Sequence, residues 1–135
     1  MSGIKTFLPA LAVVFAATTA QAMPQSPAER AQLFATCAGR LSALTEFQWM
    51  FDGPESERTQ ARRDQFVGLL EVTVQDAVAD GMPGNLVMGW RLNAKVAQAD
   101  LLRKSRFATD PRLAAHATIR AETLIRDCDR WILNI

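Results

Sequence analysis

Two segments of this sequence repeat mostly apolar residues at intervals of three, four, three, four and three positions, and each contains one of the chain's two cysteines. The first stripe consists of Phe34, Cys37, Leu41, Leu44, Gln48 and Phe51. The second stripe consists of Ala114, Ala117, Ala121, Leu124, Cys128 and Trp131. This spacing is typical of a helix that faces a partner helix along one narrow side. We therefore expect the two stripes to pack against each other.

An antiparallel arrangement with Cys37 opposite Cys128 brings the two stripes into register. The layers predicted by this register are Phe34 with Trp131, Leu41 with Leu124, Leu44 with Ala121, Gln48 with Ala117, and Phe51 with Ala114. Every layer then joins a member of one stripe to a member of the other. The register therefore predicts that the first and last helices of the fold are direct neighbours.

The first 22 residues have the composition of a secretory signal peptide. Lys5 is their only charged residue, an apolar run follows from Phe7 to Ala17, and small residues occupy Ala20 and Ala22. The run is shorter than the roughly 20 residues that a membrane-spanning helix needs. We predict export by the general secretory route, cleavage after Ala22, and a periplasmic or secreted location. An uncleaved N-terminal anchor or a buried helix is the alternative.

Export makes a disulfide between the two cysteines the expected outcome, because an exported chain with two cysteines most often bridges them. Closing a loop of this length would stabilise the fold by about 4 kcal/mol in the chain-entropy model. Two buried free thiols or a redox-active pair are the alternatives. Both cysteines lie on predicted core stripes, which favours the structural disulfide Cys37–Cys128.

Removal of the signal peptide from the 135 residues leaves 113 residues with 14 acidic and 14 basic side chains, since Lys5 is lost with it. The mature chain is therefore neutral. A neutral domain gives no overall electrostatic reason to bind nucleic acid or an anionic membrane.

Helix-capping and helix-breaking residues divide the mature chain into four helices. A capping box at Ser26–Glu29 opens the first helix, and the sequence Asp52-Gly53-Pro54 ends it and opens the second. Residues 81–84 end the second helix, and residues 109–111 separate the third from the fourth. We predict an all-α fold, in which residues 23–135 form one antiparallel four-helix bundle.

The second and third helices have less regular stripes. The predicted buried stripe of the second helix consists of Val67, Leu70, Val74 and Ala77. The predicted buried stripe of the third helix consists of Gly89, Leu92, Val96 and Ala99. Three glycines lie within helices, at Gly39, Gly68 and Gly89. Because a mid-helix glycine costs about 1 kcal/mol relative to alanine, we expect these glycines to permit close helix approach.

No motif in the sequence identifies a catalytic, metal-binding or cofactor-binding residue. The only histidine, His116, precedes the stripe residue Ala117 and is expected on the outer side of its helix. Met50 and His116 fall at nearly the same level of the predicted bundle, but on outer faces that point apart, which argues against a haem-ligand pair. We therefore predict no cofactor and do not expect an enzyme.

The segment Phe47-Gln48-Trp49-Met50-Phe51 is the strongest candidate for a functional surface. Five consecutive helical residues cover more than one turn, so Trp49 and Met50 are predicted to point outward. Phe107, at the end of the third helix, is expected at the same end of the bundle. Two basic clusters are also expected there, namely Arg58, Arg62 and Arg63, and Arg103, Lys104, Arg106 and Arg112.

An exposed aromatic and methionine surface with arginines around it is typical of a protein-binding site. The predicted partner surface consists of Phe47, Trp49, Met50 and Phe107, with Arg62 and Arg106 at its rim. The alternative is that Trp49 and Met50 pack under the neighbouring turn. Phosphate or anionic-lipid binding at the basic clusters is a weaker hypothesis, because acidic residues are interspersed with them.

The sequence thus favours an exported helical module that binds another cell-envelope protein, or a second copy of itself, as an accessory, inhibitory or chaperone-like protein. A carrier that holds a small apolar ligand or haem between its helices is the alternative. Fold class alone cannot decide between these functions, because helical bundles carry out many of them.

Export and disulfide formation can be tested together by mass spectrometry of the secreted protein. We expect the mature chain to begin at Met23 and to be about 2 Da lighter before reduction than after it, because a disulfide lacks two thiol hydrogens. A retained N-terminal segment would contradict the cleavage prediction, and an unchanged mass on reduction would contradict the disulfide.

Overall fold

A computed structural model describes residues 22–133, so the predicted signal peptide lies outside the described residues except for Ala22. The described chain folds into four helices without a β-strand. The helices are α1 (Pro27–Trp49), α2 (Gly53–Ala79), α3 (Leu86–Phe107) and α4 (Pro111–Leu133). The prediction of an all-α fold with four helices is confirmed.

Local capping residues explain where the first two helices begin. The Ser26 side chain accepts a hydrogen bond from the Glu29 amide at 3.1 Å, and Asp52 Oδ1 accepts one from the Glu55 amide at 3.1 Å. Each cap satisfies an amide that has no partner within its helix. After α2, Gly81 adopts a φ of 99°, a conformation that favours glycine and ends the helix sharply.

Helix α1 is the central helix, because its buried residues face several directions rather than one. It packs extensively against both α2 and α3. Its buried positions are Ala31, Phe34, Ala35, Cys37, Ala38, Gly39, Leu41, Ser42, Ala43 and Thr45. Most of these side chains are small, which lets neighbouring helices approach the α1 backbone closely. The buried Ser42 and Thr45 hydroxyls donate to the carbonyls one turn earlier, so their polar atoms are paired within the helix.

The closest approach between helices occurs at Gly39. A Cβ atom added to Gly39 would lie 2.2 Å from the backbone carbonyl oxygen of Arg91 in α3 and 3.1 Å from the amide nitrogen of Lys95. Only glycine fits this contact, which confirms close helix approach at this position. The same prediction is wrong for Gly68 and Gly89, because a Cβ at either of them would meet no atom within 4 Å.

Helix α4 contacts α3 along much of its length and meets α1 over a shorter stretch around the disulfide. The predicted Cys37–Cys128 disulfide is present, with a Cα–Cα distance of 5.6 Å and both cysteines fully buried. Near its C-terminal end, α4 is also linked to α2 by a salt bridge of 2.7 Å between Arg62 and Asp129. Helix α4 therefore touches all three of the other helices.

The predicted layers hold near the disulfide and fail at the far end of α1. Phe34 and Trp131, which form one predicted layer, belong to the same apolar cluster. Leu124 was predicted to be buried opposite Leu41, but it is only half-buried, and its neighbour Ile125 is buried instead. Phe51 was expected opposite Ala114, but it is exposed. The reason is that α1 ends at Trp49, after which the Phe51 and Asp52 amides both bond to the Gln48 carbonyl in a turn.

The predicted stripe of α3 is also wrong. Its four members, Gly89, Leu92, Val96 and Ala99, are all exposed. The buried face of α3 instead carries Gln98 and Leu102. Because the α3 backbone packs against Gly39, the face of α3 that carries Gln98 and Leu102 is turned toward α1. In α2 the prediction is better, since Leu70 and Ala77 are buried and Val67 and Val74 are half-buried.

None of the helices in residues 22–133 combines the length and apolar character that membrane crossing requires.

Alanine substitution at the three mid-helix glycines tests the packing around α1. We expect Gly39→Ala to lower the free energy of unfolding by about 1–3 kcal/mol, because the added methyl group would displace the Arg91 carbonyl. Gly68→Ala and Gly89→Ala are matched controls that should raise it by about 0.5–1 kcal/mol, because they add a helix-favouring methyl group in open space. Urea denaturation measures all three, and a neutral Gly39→Ala would contradict the close contact.

Candidate functional site

Five apolar side chains lie close together where α1 ends, and we call them the aromatic patch: Phe47, Trp49, Met50, Phe51 and Phe107. Trp49 is 78% exposed, Phe107 62%, Met50 60% and Phe51 51%, while Phe47 is half-buried beneath them. Trp49 and Met50 therefore do not pack under the neighbouring turn. Exposed side chains of this size are unusual when they are clustered rather than scattered.

Direct contacts join the members of the aromatic patch. The rings of Phe47 and Phe51 lie with their centroids 5.2 Å apart. A groove of about 260 Å³ separates α1 from α3 at this end, and Phe47, Met50 and Phe107 line it together. The groove is floored by Leu102. Phe47, Met50, Phe51 and Phe107 therefore form an apolar surface beside a groove that a side chain of another molecule can enter.

Around the aromatic patch, salt bridges within the chain occupy Arg103 and Lys104 but not Arg106. Asp100 binds both Arg103 at 2.7 Å and Lys104 at 2.5 Å. Hydrogen bonds from Lys104 and then Arg103 hold the pKa of the Asp100 carboxyl below its usual value. In contrast, the Arg106 guanidinium carbon lies 4.8 Å above the Phe51 ring centroid, a cation–π contact, and within the described chain Arg106 forms no salt bridge.

The other acidic groups at this end have structural roles. Asp52 caps α2, and Asp110 Oδ1 accepts a hydrogen bond of 2.9 Å from the Arg112 amide at the start of α4. Glu55 binds Arg58. Asp52, Glu55 and Asp110 thus each have a partner within the chain, and none of them forms a salt bridge with Arg106.

The structure does not bring Arg62, the other predicted rim residue, to the aromatic patch. Arg62 binds both carboxylate oxygens of Asp129, at 2.9 and 2.7 Å, and also the Thr59 hydroxyl at 3.0 Å. It lies ten positions after Asp52 in α2, or about 15 Å along the helix. Arg62 therefore joins α2 to α4, and Arg106 is the rim arginine in contact with the patch.

A second concave region, which the sequence does not predict, lies between α1, α3 and α4, and we call it the three-helix cleft. It has a volume of about 480 Å³ and is open to solvent on one side. Apolar walls are formed by Leu44 of α1, Leu102 of α3, and Ala121 and Ile125 of α4. The cleft occupies the place where the predicted register expected α1 and α4 to pack against each other.

Two glutamines in the three-helix cleft have an amide oxygen with no hydrogen-bond partner. Gln98 is only 1% exposed, and its Nε2 donates to the Ala121 carbonyl at 3.2 Å, while its Oε1 is buried and unpaired. Gln48 Oε1 is likewise buried and unpaired. Both oxygens are closed off from solvent, so they lie behind the surface of the cleft and not in its opening.

Of these two glutamines, the sequence indicated only Gln48 as a buried polar residue, and it did not indicate a cleft. Gln48 is the single amide in the apolar stripe of α1, a signal that a polar group faces the interior. Gln98 gave no such signal, because the predicted stripe of α3 lay on the opposite face. Ala121 of α4, which the register places opposite Leu44, borders the open cleft instead.

Met50 and His116, the pair considered as haem ligands, do not together line either the groove or the three-helix cleft. Met50 and His116 are both exposed, and neither lines the three-helix cleft. Within residues 22–133, no group of three or more His, Cys, Asp or Glu side chains is arranged to hold a metal ion. Both sulfurs of the disulfide are buried, as expected for a structural bridge rather than a reactive one.

The chain matches no protein-family model and no curated protein at a significant level, and it matches no solved structure. A functional assignment therefore rests on the residues and their geometry.

Proposed function

We propose that the mature chain is an exported interaction module that binds another protein of the cell envelope through the aromatic patch. The observation that carries this proposal is the exposure of Trp49, Met50, Phe51 and Phe107 where α1 and α3 end, together with a groove lined by Met50 and Phe107. Burial of these side chains against a partner would release water from apolar surface, at roughly 25 cal/mol for each Å² covered. Aromatic and methionine side chains with a neighbouring arginine are the composition of protein-binding hot spots.

The proposal includes the predicted export and helix arrangement. The mature chain would begin at Met23, and its four helices would form an antiparallel bundle. Short connections support this arrangement, because only three to six residues separate consecutive helices. The buried disulfide supports an oxidising compartment such as the periplasm or the extracellular space.

The surroundings of the groove indicate what the partner presents. The groove between Met50 and Phe107 is apolar and has room for one large aliphatic or aromatic side chain. Arg106, which has no carboxylate partner within the described chain, lies above Phe51 at its edge. We therefore expect a partner segment with an apolar residue close to an aspartate or glutamate.

Charge favours a different protein over a second copy of this chain. A two-fold symmetric dimer places the same surface on both sides of the interface. Only residues on the two-fold axis meet their own copies, so Arg106 would need a carboxylate of the second copy as its partner. Asp100 and Asp110, the carboxylates nearest to it in sequence, already accept hydrogen bonds within the chain.

The carrier of a small ligand is the second candidate function. The three-helix cleft favours it, since about 480 Å³ lies within the range of known ligand pockets, roughly 300–1,000 Å³. The cleft lies between α1, α3 and α4 and shares Phe47 with the aromatic patch.

A charge placed in the aromatic patch tests the proposed interaction. We expect Met50→Glu to weaken partner capture from envelope extract at least tenfold, because a carboxylate would have to be buried against the partner. Met88→Glu is a matched control, since Met88 is 69% exposed on α3, away from the patch, and Met50 is 60% exposed. Quantitative mass spectrometry of captured proteins compares both variants with the wild type.

The supporting result is a defined set of envelope proteins retained by the wild type and by Met88→Glu but lost with Met50→Glu. Circular dichroism should show unchanged helix content and melting temperature in both variants, because both positions face solvent. Equal capture by all three proteins would refute a role for the patch. Sedimentation that shows a dimer dissociated by Met50→Glu would instead assign the patch to self-association and refute the proposal of a different protein.

A further inference from the structure

We propose that α3 binds a second copy of this chain through its exposed apolar stripe, which consists of Gly89, Leu92, Val96 and Ala99. Leu92 is 54% and Val96 is 61% exposed, so the rest of the described chain leaves more than half of each residue uncovered. The intervals of three, four and three positions are those of a helix that packs against another helix. This interface is independent of the protein partner proposed for the aromatic patch.

The stripe of α3 lies within a helix face that has no charged side chain. Nine positions between Asn85 and Ala99 are exposed and all are uncharged, namely Asn85, Leu86, Met88, Gly89, Leu92, Asn93, Val96, Ala97 and Ala99. The two charged residues of this segment, Arg91 and Lys95, are partly buried, and their backbones lie against Gly39 of α1. A second helix could therefore cover about three turns of α3 without removing a charge from water.

Exposed apolar side chains on α2 and α4 have charged neighbours instead. Val72 of α2 directly follows Glu71, and Ile119 of α4 directly precedes Arg120, and both charged residues are exposed. A partner that covers Val72 or Ile119 would come close to a charge that has to stay hydrated. Among the helix faces of the described chain, this contrast favours α3 as the one that another helix covers.

The spacing of the stripe is the same in both chain directions, which favours a second copy as the partner. A two-fold axis at the level of Ala94 places α3 antiparallel to its copy and makes the two contacting surfaces identical. Leu92 then faces Val96 of the second copy, and Gly89 faces Ala99. Because glycine and alanine are small, the two helices can approach closely on both sides of the central contacts.

The charges at the two ends of α3 favour the antiparallel orientation. Residues 100–107, at the end of α3, contain one carboxylate and three cations. Residues 76–90, which form the end of α2, the connecting turn and the start of α3, contain two aspartates and no basic residue. An antiparallel pair brings the positive end of one copy to the negative end of the other, whereas a parallel pair would join like ends.

The predicted interface is small, so the dimer should be weak. From Gly89 to Ala99 the stripe extends about 15 Å along the helix, which places it among the small protein interfaces. We expect a dissociation constant on the order of 10–100 µM. At low-micromolar concentrations the protein is then mainly a monomer, so a substitution near the stripe, such as Met88→Glu, does not alter measurements made there.

The dimer leaves the aromatic patch available to a different partner. Ala99 also borders the groove of the patch, but it faces Gly89 of the second copy, which has no side chain to fill that groove. We therefore expect Met50→Glu to dimerise as the wild type does.

A charge at the centre of the stripe tests the dimer on the mature, disulfide-bonded protein. We expect Val96→Glu to weaken self-association at least tenfold, because the carboxylate would be buried against Leu92 of the second copy. Val72→Glu is a matched control, since Val72 is 69% exposed on α2, and it should associate as the wild type does. Sedimentation velocity from about 5 to 500 µM spans the expected dissociation constant. Circular dichroism checks that both variants keep the helix content of the wild type.

A pair of opposite charges tests the register. Leu92→Lys alone should weaken self-association as Val96→Glu does. In an equimolar mixture of these two variants, the new carboxylate of one copy faces the new ammonium group of the other, and the second Leu92–Val96 contact stays apolar. We expect the mixture to associate at least tenfold more tightly than either variant alone. Val96→Glu mixed with Val72→Lys is the control and should associate more weakly, because its lysine lies on α2.

Four results would overturn the proposal. A wild type that stays monomeric up to about 500 µM would exclude the dimer, and loss of captured envelope proteins with Val96→Glu would then assign the stripe to a different protein. Equal association of Val96→Glu and the wild type would exclude α3 as the interface. A mixture with Leu92→Lys that associates no better than the control mixture would exclude the antiparallel register. Dissociation of the dimer by Met50→Glu would assign self-association to the aromatic patch.

Discussion

The disulfide between Cys37 and Cys128 fixes how the last helix lies on the other three. Helix α4 packs mainly on α3, and its shorter contact with the central helix is centred on this covalent bond. The 91 positions that separate the cysteines make the bond worth about 4–5 kcal/mol in the chain-entropy model, a large part of the stability of a small domain. On one side of the bond the helices are packed around Phe34 and Phe66, and on the other side they separate and leave the three-helix cleft.

Small side chains on α1 are the second condition for this architecture. With alanines and Gly39 at its buried positions, α1 brings the α3 backbone so close that no Cβ atom fits between them. That contact determines which face of α3 is buried. It turns Gln98 and Leu102 inward and leaves Leu92 and Val96 in solvent. A polar residue is thus placed in the interior, while an apolar stripe remains outside.

Features that depend on local chemistry could be predicted from the sequence. The packing of the helices against one another could not. Helix boundaries agree within two residues, because Ser26, Asp52 and Gly81 act on the adjacent backbone alone. The disulfide between Cys37 and Cys128 was predicted correctly from the cysteine count and the two stripes, whereas the layer of Phe51 with Ala114 was not found. The face of α3 was wrong because its exposed stripe is more apolar than its buried one. The cleft could not be predicted, since matching stripes give a register but not the distance between two helices.

The aromatic patch and the three-helix cleft share two side chains, which links the two proposed sites. Phe47 and Leu102 line both the groove and the cleft. If a ligand in the cleft restricts the Phe47 ring to one orientation, the free energy of partner binding at the groove changes, and partner binding changes ligand affinity by the same factor. Leu102 is 7% exposed and held by packing, so the half-buried Phe47 is the side chain that can move. A ligand affinity of the cleft that is identical with and without the bound partner would show that the two sites are thermodynamically independent.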